Sequence, residues 1–246
     1  MSKIQKYLLN LKMKILFRKR RWLNFAYSSV FPHDEPLSAW ISILALMTNE
    51  LIIVNRNIVN QFTVIRSNGT AEVPYYLWLA CSHYREAAKF LGQSMKTPKI
   101  EQFIQSLPDS IQQTYSEVKA TYEPYKGSFV DLAVKPIRDS FFHYNEITSP
   151  LWTPLWRELE DERGEFSMKG GGLDFTRWEF AENIRINMIQ KSLEESGFSI
   201  EQVIESLGTA TVNMVAFGQN VVTEYFSRVE SGELANGRAQ KTQKKT

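Results

Sequence analysis

One cysteine in 246 residues rules out an intramolecular disulfide and makes a reducing compartment the easier setting. That residue, Cys81, lies beside the apolar run Leu77-Trp78-Leu79-Ala80 with no cationic partner visible in sequence, which marks it as core rather than as a reactive thiol. Histidine is almost as scarce. His33, His83 and His143 have no ligand spacing to one another or to Cys81, which argues against a transition-metal site, and His33 and His83 read as structural. Long apolar runs are missing too. The longest, Ala39 to Val54, is about 16 residues, contains Asn49 and Glu50, and falls short of the roughly 20 that span a bilayer, so it reads as a buried helix. The basic N-terminus has Lys12 and Lys14 inside its apolar part and no small-residue cleavage site after it, so no signal peptide is expected and the cytoplasm is the expected location.

Acids are absent from both ends. Residues 1–33 carry Lys3, Lys6, Lys12, Lys14, Arg18, Lys19, Arg20 and Arg21, a charge of +8, and residues 237–246 carry Arg238, Lys241, Lys244 and Lys245, a charge of +4. All 27 acids and the other 17 bases lie between, so the body carries −10 and the whole chain +2. Cationic ends suit polyanions, either nucleic acid or an anionic membrane surface. Residues 232–246, poor in apolar side chains and without aromatics, equally suit a flexible solubilising tail.

What is present is helical periodicity. Ile4, Leu8, Leu11 and Ile15 form the stripe of an amphipathic helix that runs into the Arg18–Arg21 cluster and could dock on the body or, through residues 3–21, on a membrane surface. Further helices are expected over about 35–64, before the turn-like Ser67-Asn68-Gly69, and over 75–95, 98–106 and 109–122, punctuated by Pro74, Pro98 and Pro108. Gly127 and Pro136 bracket a short helical stretch. Because proline disfavours helix at the residue before it, the next helix is expected to start at Pro136 and run to about Glu146. Residues 150–175 read as a loop-rich excursion around a short helix, and two more helices are expected near 175–194 and 199–229, split at Ser196-Gly197. No alternating strand pattern or internal repeat appears, so strands are at most short and the fold is all-α, with one domain favoured.

One segment carries chemistry. Pro136-Ile137-Arg138-Asp139-Ser140-Phe141-Phe142-His143-Tyr144 places a permanent cation, a carboxylate and an imidazole within two helical turns. At ~100° per residue Asp139 and His143 project only ~40° apart and can touch, while Arg138 and His143 differ by ~140°. A carboxylate beside an imidazole raises its pKa and fixes its orientation. These groups suit RNA cleavage by internal transesterification. Histidine moves the proton near neutral pH, guanidinium holds the phosphate oxygens where charge accumulates, and neither metal nor cofactor is required. The same residues equally make an inert helix surface with a local ion pair.

The string resembles the Arg-x4-His motif of HEPN ribonucleases, in which Asn, Asp or His typically follows the arginine, as Asp139 does here. The helix with Tyr84-Arg85-Glu86-Ala87 before the motif, and Phe175-Thr176-Arg177-Trp178-Glu179-Phe180-Ala181-Glu182 opening the helix after it, resemble abortive-infection HEPN-like proteins over about residues 36–229. The resemblance implies a HEPN-type helical bundle, here with an extra N-terminal helix, divided into a basic segment 1–33, a HEPN-like domain 34–231 and a basic tail 232–246. It further implies a homodimer with both Arg-His pairs at one cleft, metal-independent RNA cleavage, and roles in phage defence or toxin–antitoxin pairs, with an antitoxin or other partner protein. Arg138, Asp139 and His143 are then the catalytic candidates; from the residues themselves, Tyr144 is a substrate-binding candidate and Lys135, Arg177 and Arg185 are candidate phosphate contacts. Phe141 and Phe142 depart from the family, where smaller residues are common before the histidine.

Other groups read more plainly. Glu158, Glu160, Asp161, Glu162 and Glu165 read as a solvated charged face in preference to a divalent-cation site, and Gly170-Gly171-Gly172 lacks the flanking residues of a phosphate loop and reads as a hinge or turn. Trp152, Trp156, Trp178 and Tyr144 read as core aromatics or as base-stacking platforms. The alternative to the ribonuclease is a noncatalytic HEPN-like dimer or adaptor that binds a protein, nucleic acid or an anionic membrane surface.

Overall fold

The computed structural model describes residues 25–32, 34–68, 73–142, 167–168, 176–177, 179–194 and 196–234. The fold is all-α. After a short helix α1 (Tyr27–Val30) come α2 (Pro36–Asn68), α3 (Val73–Ser94), α4 (Pro98–Gln105) and α5 (Asp109–Ala120). A π-helical turn (Val130–Val134) runs directly into α6 (Lys135–Phe142), followed by α7 (Glu179–Glu194) and α8 (Ile200–Ser231). Two-residue strands β1 (Ser167–Met168) and β2 (Thr176–Arg177) pair antiparallel.

The long helices α2, α3 and α8 build the centre because each presents a continuous apolar stripe. Leu37, Trp40, Ile41, Leu44, Leu51 and Val54 of α2 are buried at three- and four-residue spacing. Leu77, Ala80, Tyr84, Ala87, Ala88 and Leu91 answer from α3, with Leu79 packed at the margin. Cys81 is fully buried, and burial pushes its thiol pKa above the ordinary value, as a core residue requires. Val203, Leu207, Met214, Phe217 and Val221 close the core from α8. The α2–α8 crossing is close because Gly218 has no side chain to meet buried Thr48, whose hydroxyl donates to the Leu44 carbonyl at 2.7 Å.

Chain punctuation sets the ends of several helices. Pro98 opens α4 at a position where its missing N–H costs nothing. Ser199 and Gln202 form a reciprocal capping box at the start of α8, and Gly232, at φ 78°, closes that helix in the left-handed conformation. Arg228 near that end donates to the Ser106 hydroxyl at 2.7 Å and the Ser106 carbonyl at 2.6 Å, tying α8 to the end of α4. The Tyr225 hydroxyl donates to the Val30 carbonyl at 2.6 Å and Phe31 stacks on the Tyr225 ring, so the residues just before α2 pack onto α8.

Three expectations are corrected. The second helix does not stop near residue 64 but continues through Ser67 and Asn68. Its segment Pro36–Ile58 is long and apolar enough by composition to cross a membrane, although half of the most apolar window is buried in the bundle. Helix also does not begin at Pro136. Lys135 is helical, and the π turn before it accounts for this, since widening the helix by one residue relieves the clash between the proline ring and the preceding carbonyls. Finally, Thr176 and Arg177 do not open a helix. They form β2, and α7 starts at Glu179.

Candidate active site

The motif helix α6 packs on α3 and α7, with the π turn bearing on α3 as well. Ile137 is fully buried and seats α6, leaving Arg138 and Asp139 half-buried at the α3–α6 seam. Trp78 of α3 donates its indole N–H to the Arg138 carbonyl at 3.3 Å, which fixes the height of the motif against α3.

Within that seam Arg138 donates through Nη1 to Asp139 Oδ1 at 2.9 Å. The same oxygen lies 3.6 Å from Nη1 of Arg85, on α3. One carboxylate therefore gathers two guanidinium groups, in a cluster whose side chains are 25% (Arg85), 25% (Arg138) and 38% (Asp139) exposed. Partly exposed pairs of this kind contribute about 1 kcal/mol or less each to stability. Their consequence is orientation: a planar guanidinium carries five N–H donors in a fixed fork, so pinning one nitrogen sets the direction of the others. Guanidinium groups set in this way are the side chains best matched to a phosphate group.

The other candidates are placed as follows. Lys135, at the start of α6, turns back to Asp131 at 3.9 Å and does not join the arginine cluster. Arg177 is on β2. His143 and Tyr144 lie outside the described residues, as do His33, the acidic run 158–165, the glycines 170–172, and Trp152, Trp156 and Trp178. His83 pairs with Glu50 of α2 through Nδ1 at 3.4 Å, a contact between α2 and α3. Among the described residues no group of three or more His, Cys, Asp or Glu side chains is placed to hold a metal. A small cavity of about 30 Å³ between α2, α3 and α8, lined by Leu51, Val54, Ile58, Leu77 and Leu207 among others, is mainly apolar and takes no residue from α6.

Arg85 is the residue that sequence reasoning missed. It stands inside the Tyr84-Arg85-Glu86-Ala87 string, and the available signal was helical: Trp78 and Arg85 are seven apart on α3, hence ~20° apart in projection, so both face α6. No family model, curated protein or solved structure matches the chain.

Proposed function

We propose that the chain is a metal-independent RNA endonuclease of HEPN type that works in the cytoplasm as a homodimer. The observation that carries this reading is the shared Asp139 carboxylate, which holds Arg138 at 2.9 Å and has Arg85 at 3.6 Å, on a helix whose next residue in sequence is His143.

In this reading Arg138 grips the non-bridging phosphate oxygens and stabilises the charge that builds as phosphorus becomes five-coordinate. His143 takes the proton from the ribose 2′-OH as that oxygen attacks. The bond from phosphorus to the 5′-oxygen breaks, and the departing oxygen is protonated by an imidazolium, either that of His143 or that of its counterpart in the second copy. Asp139 acts as a positioning residue by fixing the guanidinium plane. Lys135, Arg177 and Tyr144 are assigned to the substrate path. A role in phage defence or a toxin–antitoxin pair, with a partner protein that restrains the activity, follows from the family resemblance.

The test is the chemistry of the ends. Purified protein in excess EDTA should cut RNA to 2′,3′-cyclic phosphate and 5′-hydroxyl termini and leave the all-deoxy strand intact, because DNA has no 2′-OH. No cleavage, or 3′-hydroxyl products, overturns the proposal.

A further inference from the structure

The outward side of α2 carries an apolar stripe that no described element covers. Ile43, Leu46 and Ile53 are 49%, 59% and 55% exposed, while the opposite side of the same helix is buried in the core. Together with Ala39, Glu50 and Asn57 they recur at spacings of 4, 3, 4, 3 and 4 residues, all within ~80° of helix surface. A seam of that period is what a second helix needs to lie alongside.

The first 24 residues of the chain, which lie outside the described set, contain the same period. Ile4, Leu8, Leu11, Ile15, Arg18 and Trp22 are also spaced 4, 3, 4, 3 and 4. We propose that residues 4–22 dock as a helix antiparallel to α2 on this stripe, pairing Trp22 with Ala39, Ile15 with Leu46 and Leu8 with Ile53. Run in opposite directions, the two seams stay in step over their whole length, because the spacing 4-3-4-3-4 reads the same both ways. Each covers about 27 Å at 1.5 Å per residue.

Three further observations favour this occupant. The arm carries eight bases and no acid, against a body of net charge −10. The described chain resumes at Phe25, whose ring packs against Phe226 at 5.2 Å and Phe31 at 5.9 Å, so the arm enters close to the start of α2 with enough chain between to reverse direction. The other long segment outside the description leaves from α6 and returns towards α7, helices that pack on α3 and on each other. This inference is independent of the ribonuclease reading.

The test is disulfide trapping in the full chain, where native Cys81 is fully buried and cannot compete. The pairs Ile15→Cys with Leu46→Cys and Leu8→Cys with Ile53→Cys are oxidised mildly, beside a control pair of Ile15→Cys with Tyr125→Cys, an exposed position off the stripe. The proposal expects a disulfide within one chain for both stripe pairs, seen as a faster-migrating monomer, unchanged on dilution and at least ten-fold above the control. Cross-linking between two chains identifies a second copy as the occupant and overturns it. Yields equal to the control also overturn it.

Discussion

Arg85 and Asp139 stand 3.6 Å apart across the α3–α6 seam, joining a helix that carries no part of the Arg-x4-His string to the helix that carries Arg138. The pair gives Asp139 a second cation and makes the setting of Arg138 depend on α3. Arg85→Ala should therefore lower RNA cleavage by about three- to ten-fold while changing unfolding free energy by no more than about 1 kcal/mol, as expected for a partly exposed ion pair. Arg85→Lys should restore only part of the rate, because an ammonium lacks the planar fork. Cleavage assays paired with urea denaturation separate the two effects, and an unchanged rate in Arg85→Ala would remove Arg85 from the site.

Two glycines on α8 should respond in opposite ways. A Cβ on Gly218 runs into Thr48, which is buried and bonded to the Leu44 carbonyl, so Gly218→Ala should destabilise by roughly 1–3 kcal/mol through overpacking. A Cβ on Gly208 meets nothing within 4 Å, so Gly208→Ala should stabilise by up to about 1 kcal/mol from helix propensity. Denaturant midpoints of the two variants check the sign.

Removing the α8 cap should cost about 1 kcal/mol. Ser199→Ala deletes the acceptor for the Gln202 N–H, now at 3.2 Å, and dismantles a box in which Gln202 also accepts from the Ser199 N–H at 2.8 Å. A loss in excess of 3 kcal/mol, or none, would show that this turn is held by other contacts.

The buried tyrosines set an alkaline limit. Burial raises the pKa of Tyr84, Tyr115, Tyr122 and Tyr225 by penalising the phenolate. A group whose pKa is higher folded than unfolded contributes stability that is complete below its unfolded value, near 10, and is lost as pH rises towards the folded value. Stability should thus decline above about pH 10, and the tyrosinate absorbance of these four should appear together with unfolding rather than before it. Early titration of all ten tyrosines in the folded protein would contradict this.

The parts of the fold legible in sequence were those with local causes. Pro74, Pro98 and Gly197 punctuate the chain where helices begin or turn, and the stripes of α2, α3 and α8 are visible as three- and four-residue spacing. The π turn at Val130–Val134 was not legible, because one extra residue in a helix leaves no periodic mark and Pro136 alone points to a helix start. The brief strand at Thr176–Arg177 was hidden for another reason: two residues cannot display a period. In the site, Arg138 and Asp139 were readable as neighbours. Arg85 was not, because its partnership with Asp139 spans two helices and is set by the packing of Ile137 and Trp78 rather than by any spacing within the motif.

The most direct measurement is the rate of RNA cleavage in EDTA by wild type, His143→Ala and Arg138→Ala at equal concentration, with circular dichroism confirming that each is folded. The account predicts that each substitution lowers the rate by at least about 100-fold, the usual scale for losing a general acid–base or a transition-state charge stabiliser. Equal cleavage by the three folded proteins would contradict it.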